Sequence, residues 1–241
     1  MINRLKQFII KQMFFPGLIA GLFLNPFYFA RRSLMQHIKS LAHYINGKVL
    51  DVGCGEKPYQ SLFQSSNYVG LEISTNNTLQ YSNPDVYYDG NKFPFKDESF
   101  DAVLSFQVFE HVFEPDRFLS EVQRVLKDQG TILLTVPFIW DEHLQPHDFA
   151  RYTSYGLTAL LKKYNFEIIE YRKSLNDFRI VFQIIAMYWY KKLITKNVYL
   201  NLLLYVFFFG PLNLIGLLSY IFPSNNDFYL DNIILAKKHI H

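Results

Sequence analysis

Three glycines and two acidic residues lie at the ends of successive apolar runs, an arrangement typical of nucleotide-binding sites. Gly53 and Gly55 end the first run, and glycine lets a backbone approach a ligand closely. Glu72 ends the next run, where a carboxylate can accept hydrogen bonds from both hydroxyls of a ribose. Asp89 and Gly90 follow a third run, where an acid can accept from an adenine amino group. The arrangement predicts a nucleoside site, with ordinary turns and a solvated strand-end acid as the alternative.

Two histidine-containing segments offer groups for acid–base chemistry. His111 follows Glu110, and His147 precedes Asp148. An imidazole oriented by a carboxylate is a candidate general base, so His111 and the pair His147 and Asp148 are the predicted catalytic residues. Arg151 could hold a phosphate or carboxylate of an acceptor. The alternative is a scaffold, in which His111 packs in a loop and Asp148 pairs with Arg151.

Alternating strand and helix patterns position these residues. One helix is predicted to begin at Pro115 and to be broken by residues 128–130, and another to run from an N-cap at Thr153 to Lys163. Strands alternating with helices predict an α/β fold with a doubly wound, mostly parallel sheet, which binds ligands beyond the carboxyl ends of its strands. The predicted strands are 48–52, 68–73, 85–89, 100–106, 131–136, 166–171 and 229–236.

The composition excludes several classes of protein. The 241 residues include one cysteine, Cys54, which excludes an intrachain disulfide and a cysteine-based zinc cluster. Hydrophobic residues make up 50% of the chain and charged residues 19%, which excludes an intrinsically disordered chain and a coiled coil. The chain is therefore expected to form a globular core without covalent staples.

The net charge of +3 averages over unlike parts of the chain. Residues 1–48, which include Arg4 and Lys6, and residues 178–226 contain basic residues and no acid, whereas the centre is acidic. Basic residues that flank apolar runs favour a membrane surface with anionic headgroups. They do not form the polar basic stripe that nucleic-acid binding requires, so no nucleic-acid partner is predicted.

Each flank contains an uncharged segment, at residues 12–30 and 197–226. Each approaches the length of a bilayer span, but prolines and glycines interrupt both, and Gly210-Pro211 splits the second. The pattern predicts bent, interfacial or re-entrant helices. The alternative is that the two segments pack on each other over the sheet and hide their aromatic residues. A cleaved signal peptide is not predicted, because no small-x-small site follows the first segment.

Five blocks of the sequence resemble the class I S-adenosylmethionine-dependent methyltransferases, specifically the type 11 subgroup. They are VLDVGCG at 49–55, VGLEIS at 69–74, FPFKDESFDAVLSFQVFEHV at 93–112, FLSEVQRVLKDQGTILLTVPF at 118–138 and NFEIIE at 165–170. The resemblance implies a seven-stranded Rossmann-like sheet whose last strand lies antiparallel between the fifth and sixth. The chain departs from the family's usual third glycine with Glu56-Lys57-Pro58. Pro58 also replaces the last glycine of the dinucleotide motif, which disfavours NAD.

The resemblance implies S-adenosyl-L-methionine as the cofactor. It assigns the methionine moiety to Asp51, Gly53 and Gly55, the ribose to Glu72, the adenine to Asp89 and Gly90, and closure of the pocket to Phe106 and Gln107. Ubiquinone O-methyltransferases hold a divalent metal in a related E-x-x-E-H cluster. Here the matching positions are Gln107, Glu110 and His111, and the amide weakens a metal site, so no metal is predicted.

The predicted organisation is a methyltransferase domain with two additions. The domain comprises 47–177 and 227–241, preceded by apolar, basic helices over 1–46 and interrupted by an apolar helical insertion over 178–226. A run similar to H-x-x-P-x-D-x-x-R-Y-T, at 143–153, occurs in type 11 methyltransferases that accompany cell-surface polysaccharide synthesis. The predicted function is O-methylation of a cell-surface glycan or lipid-linked precursor by a cytoplasmic enzyme at the inner face of the membrane. The alternatives are methylation of a small hydrophobic acceptor such as a quinone precursor, and an inactive membrane-tethered scaffold.

Overall fold

The computed structural model describes residues 8, 11–65 and 67–239, and its strands form one seven-stranded sheet. The strands are β1 (Lys48–Val52), β2 (Asn67–Ile73), β3 (Val86–Tyr88), β4 (Phe100–Phe106), β5 (Leu126–Pro137), β6 (Phe166–Lys173) and β7 (Asp231–Lys238). Their order is β3-β2-β1-β4-β5-β7-β6. Pairing is parallel from β3 through to β5, and β7 is antiparallel to β5. The predicted α/β class and the place of the last strand are confirmed.

Residues 11–14 are helical, and the α-helices that follow them are α1 (Leu18–Leu24), α2 (Tyr28–Leu41), α3 (Asn76–Tyr81), α4 (Pro115–Val125), α5 (Ser154–Lys163), α6 (Arg179–Leu193), α7 (Val198–Leu204) and α8 (Gly210–Leu218). As predicted, α4 begins at Pro115 and Thr153 caps α5, its Oγ1 accepting from the Gly156 N–H at 3.1 Å. The predicted helix break at 128–130 was wrong, because these residues already lie within β5. A bulge accommodates them, since pairing with β4 shifts between Phe100 and Ala102.

The chain divides into two compact units, each with its own core. Among the described residues, the sheet unit comprises 38–65, 67–138, 142–172 and 231–239, and the helical unit comprises 8, 11–37, 139–141 and 173–230. Arg4 and Lys6 lie outside the described residues. The core of the sheet unit packs apolar strand residues such as Leu50 and Val103 with helix residues such as Leu119 and Val122, all fully buried. The domain boundaries expected from the composition remain predictions.

Buried amides join the segments of the helical unit where α1 ends and α2 begins. The Asn213 side chain donates to the carbonyl oxygens of Leu22 and Asn25, at 2.8 and 3.1 Å. Gln183 Oε1 accepts from the Ala30 N–H at 3.0 Å. These bonds satisfy backbone groups that the helix ends leave open. The two uncharged segments singled out by the sequence therefore pack on each other. The first of them also contributes to a core of Leu22, Tyr28, Phe29, Ala30, Leu175, Ile180 and Leu230.

The second uncharged segment is one continuous helical rod rather than two helices split at Gly210-Pro211. A π-helical turn, Tyr205–Phe209, joins α7 to α8. Such a turn accommodates Pro211, which has no N–H to donate within a regular helix. Within the described residues, Val198–Ile221 is the one segment long and apolar enough to cross a membrane, judged by length and composition, with a mean hydropathy of 2.0. Core helices of soluble proteins meet the same criterion, but only 28% of its most apolar window is buried.

Candidate functional site

The order of the strands reverses between β1 and β4, and the loops after these strands meet. Gly53 follows β1 with a φ of +72°, and its N–H donates to the Leu71 carbonyl at 2.8 Å. A Cβ on Gly53 would overlap the methyl groups of Val108, which follows β4. In doubly wound sheets, ligands bind at such a reversal, beyond the carboxyl ends of the strands. The structure therefore requires glycine at position 53 and places it at the expected ligand site.

Gly55 and Glu72 are brought into direct contact. The Gly55 N–H donates to Glu72 Oε2 at 2.9 Å, and the Ile73 N–H donates to Oε1 at 3.1 Å. Each carboxylate oxygen thus keeps lone pairs for another donor. Burial raises the pKa of Glu72, and the two backbone hydrogen bonds oppose that rise. The other side of Gly55, at a φ of +51°, is open, since a Cβ there would meet no heavy atom within 4 Å.

Asp51 lies at the end of β1, almost fully buried, with Tyr68 as its partner. The Tyr68 hydroxyl donates to Asp51 Oδ2 at 2.6 Å. Burial raises the pKa of Asp51 to about 7, and the hydrogen bond from Tyr68 opposes the rise. The sequence identified Asp51 but missed Tyr68, because nothing local distinguishes a tyrosine at the start of a strand from an ordinary core residue.

An ion pair holds the loop where the chain departs from the family's third glycine. Lys57 Nζ lies 2.8 Å from Asp85 Oδ2, and the same oxygen accepts from the Gly70 N–H at 2.6 Å. The Asn83 N–H donates to the Gly55 carbonyl at 2.9 Å. The exit from the glycine loop is therefore fixed by Lys57 and by the segment before β3, rather than by a further glycine.

The predicted adenine residues lie at an exposed turn after β3. Asp89 accepts from the main-chain N–H and from Nδ2 of Asn91, both at 2.9 Å. These hydrogen bonds from Asn91 lower the pKa of Asp89. Gly90 has a φ of +87°. The geometry is that of an ordinary turn, which was the alternative interpretation of these residues. A role in adenine binding remains a prediction.

Phe106 and Gln107 end β4 and border the Gly53 loop. The Phe106 ring stacks on Phe63, with ring centroids 6.1 Å apart, and meets the Tyr59 ring edge-on at 5.5 Å. Gln107 has a φ of +58°, and its N–H donates to the Thr135 carbonyl at 2.9 Å. The two residues lie at the predicted edge of the pocket, and their contact with a cofactor remains a prediction.

A group of polar residues after β4 and β5, here called the histidine cluster, comprises Glu110, His111, His143, Asp148 and Arg151. Asp148 accepts from Arg151 at 2.6 and 2.7 Å and from the His143 N–H at 2.8 Å. Although burial opposes the effect, these donors lower the pKa of Asp148 to about 2. The pairing of Asp148 with Arg151 matches the scaffold alternative.

The predicted orientation of His147 by Asp148 was wrong. Asp148 Oδ2 instead faces His143 Nδ1 at 3.3 Å. The His147 N–H closes a turn to the Leu144 carbonyl, which leaves the His147 side chain exposed. The carbonyl of His147 accepts from His111 Nδ1 at 2.6 Å. His147 therefore touches the cluster through its backbone.

Glu110 lies at the centre of the cluster and is fully buried. Its Oε1 is 3.7 Å from His111 Nε2 and 4.0 Å from His143 Nε2, and no other described residue gives either carboxylate oxygen a hydrogen bond. Burial raises the pKa of Glu110 to about 8 and lowers the pKa of His111. The sequence placed His143 with the candidate acceptor segment after the fifth strand, but it did not predict the contact with Glu110, because only the fold brings the two loops together.

The residues after β1 and β2 fit the nucleoside part of S-adenosylmethionine. A buried carboxylate with free lone pairs lies beside a glycine whose open side a Cβ would fill. Backbone and carboxylate acceptors of this kind suit two vicinal hydroxyls. The residues that would hold the ribose are therefore Glu72 and Gly55.

Comparisons with known proteins agree with this fit. A family described as "Methyltransferase domain" matches residues 50–134. A probable S-adenosylmethionine-dependent methyltransferase of Mycolicibacterium smegmatis is 30% identical over 165 residues, which span 62% of this chain and 63% of that protein. A ubiquinone biosynthesis O-methyltransferase of Bartonella bacilliformis is 30% identical over 108 residues, 39% of this chain and 43% of that one. The alignments thus span less than two thirds of these relatives.

The fold has close counterparts among solved structures. Phosphoethanolamine N-methyltransferase 2 of Haemonchus contortus, solved with S-adenosyl-L-methionine, superposes with a TM-score of 0.56 over 92% of this chain and 56% of that one, at 18% identity. At this identity, the similarity concerns the fold. Over β1 to β5, the chain is thus similar to the class I S-adenosylmethionine-dependent methyltransferases, and its sheet has their fold.

Proposed function

We propose that this protein methylates an oxygen atom of a cell-surface glycan or lipid-linked precursor at the inner face of a membrane. The observation that carries the methyl-donor half of the proposal is the contact between Gly55 and Glu72 at the point where the strand order reverses. When bound, S-adenosylmethionine supplies an electrophilic methyl group. The protein's own contribution is then mainly proximity and orientation.

Each predicted binding residue has a defined part in that orientation. Glu72 accepts hydrogen bonds from the ribose, and the open side of Gly55 gives the nucleoside room. Asp51, held by Tyr68, faces the methionine end. Asp89 serves the adenine by exchanging its hydrogen bonds with Asn91 for bonds to the base. The cofactor is thus held by residues after three adjacent strands.

The acceptor half is assigned to the histidine cluster. It follows β4 and β5, whose carboxyl ends border the cofactor side of the sheet. Arg151 is part of this cluster and holds Asp148, so the cluster combines carboxylate, imidazole and guanidinium groups. Such groups suit an acceptor rich in hydroxyls, because they can orient oxygen atoms and take up a proton.

The helical unit supports a membrane location. Tyr199, Phe207 and Ile221 on the rod Val198–Ile221 are 82%, 74% and 85% exposed. Exposed lysines, Lys192 and Lys196, lie just before the rod, and residues 178–226 contain no acid. Apolar side chains beside basic residues favour the surface of an anionic bilayer. An enzyme held there would meet a lipid-linked acceptor directly.

A small hydrophobic acceptor is the second candidate. The similarity to a ubiquinone biosynthesis O-methyltransferase favours it, and the exposed apolar surface would serve a membrane-dissolved quinone precursor equally well. The two candidates differ in the product and not in the methyl donor.

The test is to identify the methylated product. The protein is incubated with methyl-labelled S-adenosylmethionine and either cell-envelope extract or quinone precursors, and the products are analysed by mass spectrometry. The expected result is a labelled glycan or lipid-linked product that requires Glu72 and is lost in Glu72→Ala. Glu167→Ala, which changes an exposed acid on β6, is the matched control. A labelled quinone alone would replace the first candidate with the second. If no acceptor is labelled and Glu72→Ala preserves the biological role, the inactive scaffold is favoured.

A further inference from the structure

We propose that Glu110, His111 and His143 form a binding site for one divalent transition-metal ion. The sequence did not predict this site, because Gln107 breaks the pattern of local ligands. The third ligand comes instead from His143, in the loop after β5. The site goes beyond methyl transfer, since its geometry would hold an ion whatever reaction the protein catalyses.

The ligand atoms already lie close together. One atom from each of the three side chains lies within 4.8 Å of the others. Glu110 Oε1 is 3.7 Å from His111 Nε2 and 4.0 Å from His143 Nε2. An ion about 2.1 Å from each ligand requires ligand atoms roughly 3.0–3.4 Å apart. Movements of the side chains of less than about 1 Å would therefore complete the site.

The hydrogen bonds behind the two imidazoles fix their orientation. His111 Nδ1 contacts the His147 carbonyl at 2.6 Å, and a carbonyl can only accept, so Nδ1 carries the hydrogen. His143 Nδ1 faces the Asp148 carboxylate at 3.3 Å, and Arg151 holds that carboxylate in its ionised form. With the ring hydrogen on Nδ1, each imidazole turns the lone pair of Nε2 towards Glu110. Carbonyl and carboxylate partners behind ligating histidines are typical of metal sites.

Glu110 is the observation that favours a cation. Its carboxylate is fully buried, and within the described part of the chain neither oxygen has a hydrogen-bond partner from another residue. Neither Nε2 can donate to Glu110 while the hydrogen of its ring is on Nδ1. A buried carboxylate left in this way is costly unless a proton or a cation joins it. A metal ion held by the three side chains would neutralise this carboxylate and use the Nε2 atoms that face it.

The donor set indicates the class of ion. Two imidazoles and one carboxylate suit Mn²⁺, Fe²⁺, Co²⁺ or Zn²⁺, whereas Mg²⁺ and Ca²⁺ prefer oxygen ligands. Three protein ligands leave at least one coordination position open. A water molecule or an acceptor oxygen can occupy it. The ion would also tie the turn after β4 to the loop after β5.

The test is titration of the metal-depleted protein with Co²⁺, whose visible absorption reports its ligands, followed by competition with Zn²⁺. The expected result is one tightly bound equivalent in the wild type. Glu110→Gln and His143→Ala should each weaken the affinity for Co²⁺ at least ~10-fold. His43→Ala, which removes an exposed histidine outside the cluster, should bind as the wild type does.

Thermal unfolding gives a readout independent of activity. Saturating Zn²⁺ should raise the melting temperature of the wild type and of His43→Ala but leave that of Glu110→Gln and His143→Ala unchanged, because only an ion bound to the native state stabilises it. The melting temperature without metal shows that each variant is folded. If Glu110→Gln does not fold, His143→Ala decides. The proposal is overturned if the wild type binds no Co²⁺, or if Glu110→Gln and His143→Ala bind it as tightly as His43→Ala.

Discussion

The main-chain N–H of Gly55 donates a 2.9 Å hydrogen bond to Oε2 of Glu72, which joins the loop after β1 to the end of β2. The carboxylate therefore lies beside a glycine on which a Cβ would meet no neighbour within 4 Å among the described residues. One contact thus brings a hydroxyl acceptor and an open glycine together, as the proposed nucleoside site requires.

Glu72→Gln should weaken binding of S-adenosylmethionine about 10- to 100-fold, because hydrogen bonds to a charged acceptor are worth about 1.5–3 kcal/mol. Isothermal titration calorimetry measures the affinity. Glu167→Gln, on the exposed side of β6, is the matched control and should bind as the wild type does. Equal affinities for wild type and Glu72→Gln would show that the carboxylate does not contact the cofactor.

Alanine should mainly affect stability at one of the two loop glycines and cofactor binding at the other. Gly53→Ala should lower the free energy of unfolding by about 2–4 kcal/mol, because it combines a positive φ with overlap against Val108. Gly55→Ala has only the cost of the positive φ, about 1 kcal/mol, but its methyl group fills the open side and should weaken cofactor binding at least ~10-fold.

Urea denaturation and calorimetry separate these two effects. The double variant Gly53→Ala, Val108→Ala should recover part of the stability, since it removes the methyl groups that the new Cβ would overlap. If Gly55→Ala leaves the affinity for S-adenosylmethionine intact, the nucleoside does not occupy the open side of Gly55.

The sheet, and the glycines and acid at its strand ends, could be predicted because their signals are local. Apolar runs predicted the strands, and their position at the ends of these runs singled out Gly53, Gly55 and Glu72. Each of these residues acts within a few residues of its own strand end. A parallel sheet places the ends of adjacent strands side by side, so these residues meet once the strands pair.

Features that depend on distant neighbours could not be predicted in this way. The imidazole that faces Asp148 belongs to His143 rather than to the adjacent His147, because a turn directs His147 outwards. Glu110 meets His143 only through the neighbouring positions of β4 and β5. The bulge over residues 128–130 likewise depends on pairing with β4, since the local sequence alone indicates a break.

Asp51 should make stability depend on pH. Burial raises its pKa to about 7 from 3.8, so between these values the folded state binds more protons than the unfolded state. The free energy of unfolding should therefore fall as the pH rises through this window, by up to about 1.4 kcal/mol per pH unit, and level off above pH 7. Asp51→Asn should remove this contribution. Urea denaturation at several pH values should show the wild type losing stability relative to the variant, and parallel curves would contradict the assignment.

Asn213 should hold the helical unit together. Asn213→Ala leaves the carbonyl groups of Leu22 and Asn25 without their buried donor. The expected loss of stability is about 1–3 kcal/mol. Hydrogen exchange should report faster opening of α1 and α8 than in the wild type. Asn201→Ala, which changes a partly exposed residue on the same rod, is the comparison. Equal protection in the two variants would show that the buried amide of Asn213 does not stabilise the helical unit.

The rod Val198–Ile221 should bind anionic membranes through its exposed apolar side chains. Replacing Tyr199, Phe207, Leu218 and Ile221 together by serine should reduce flotation with vesicles that contain anionic lipid at least ~10-fold, because these side chains would otherwise leave water on binding. The affinity for S-adenosylmethionine should not change. High salt should weaken the binding of the wild type, since it screens the attraction of the basic residues to the headgroups. Tyr155→Ser, which removes an equally exposed aromatic residue from the sheet unit, should float like the wild type. A wild type that stays in solution with both anionic and neutral vesicles would exclude the membrane location and leave a water-soluble acceptor.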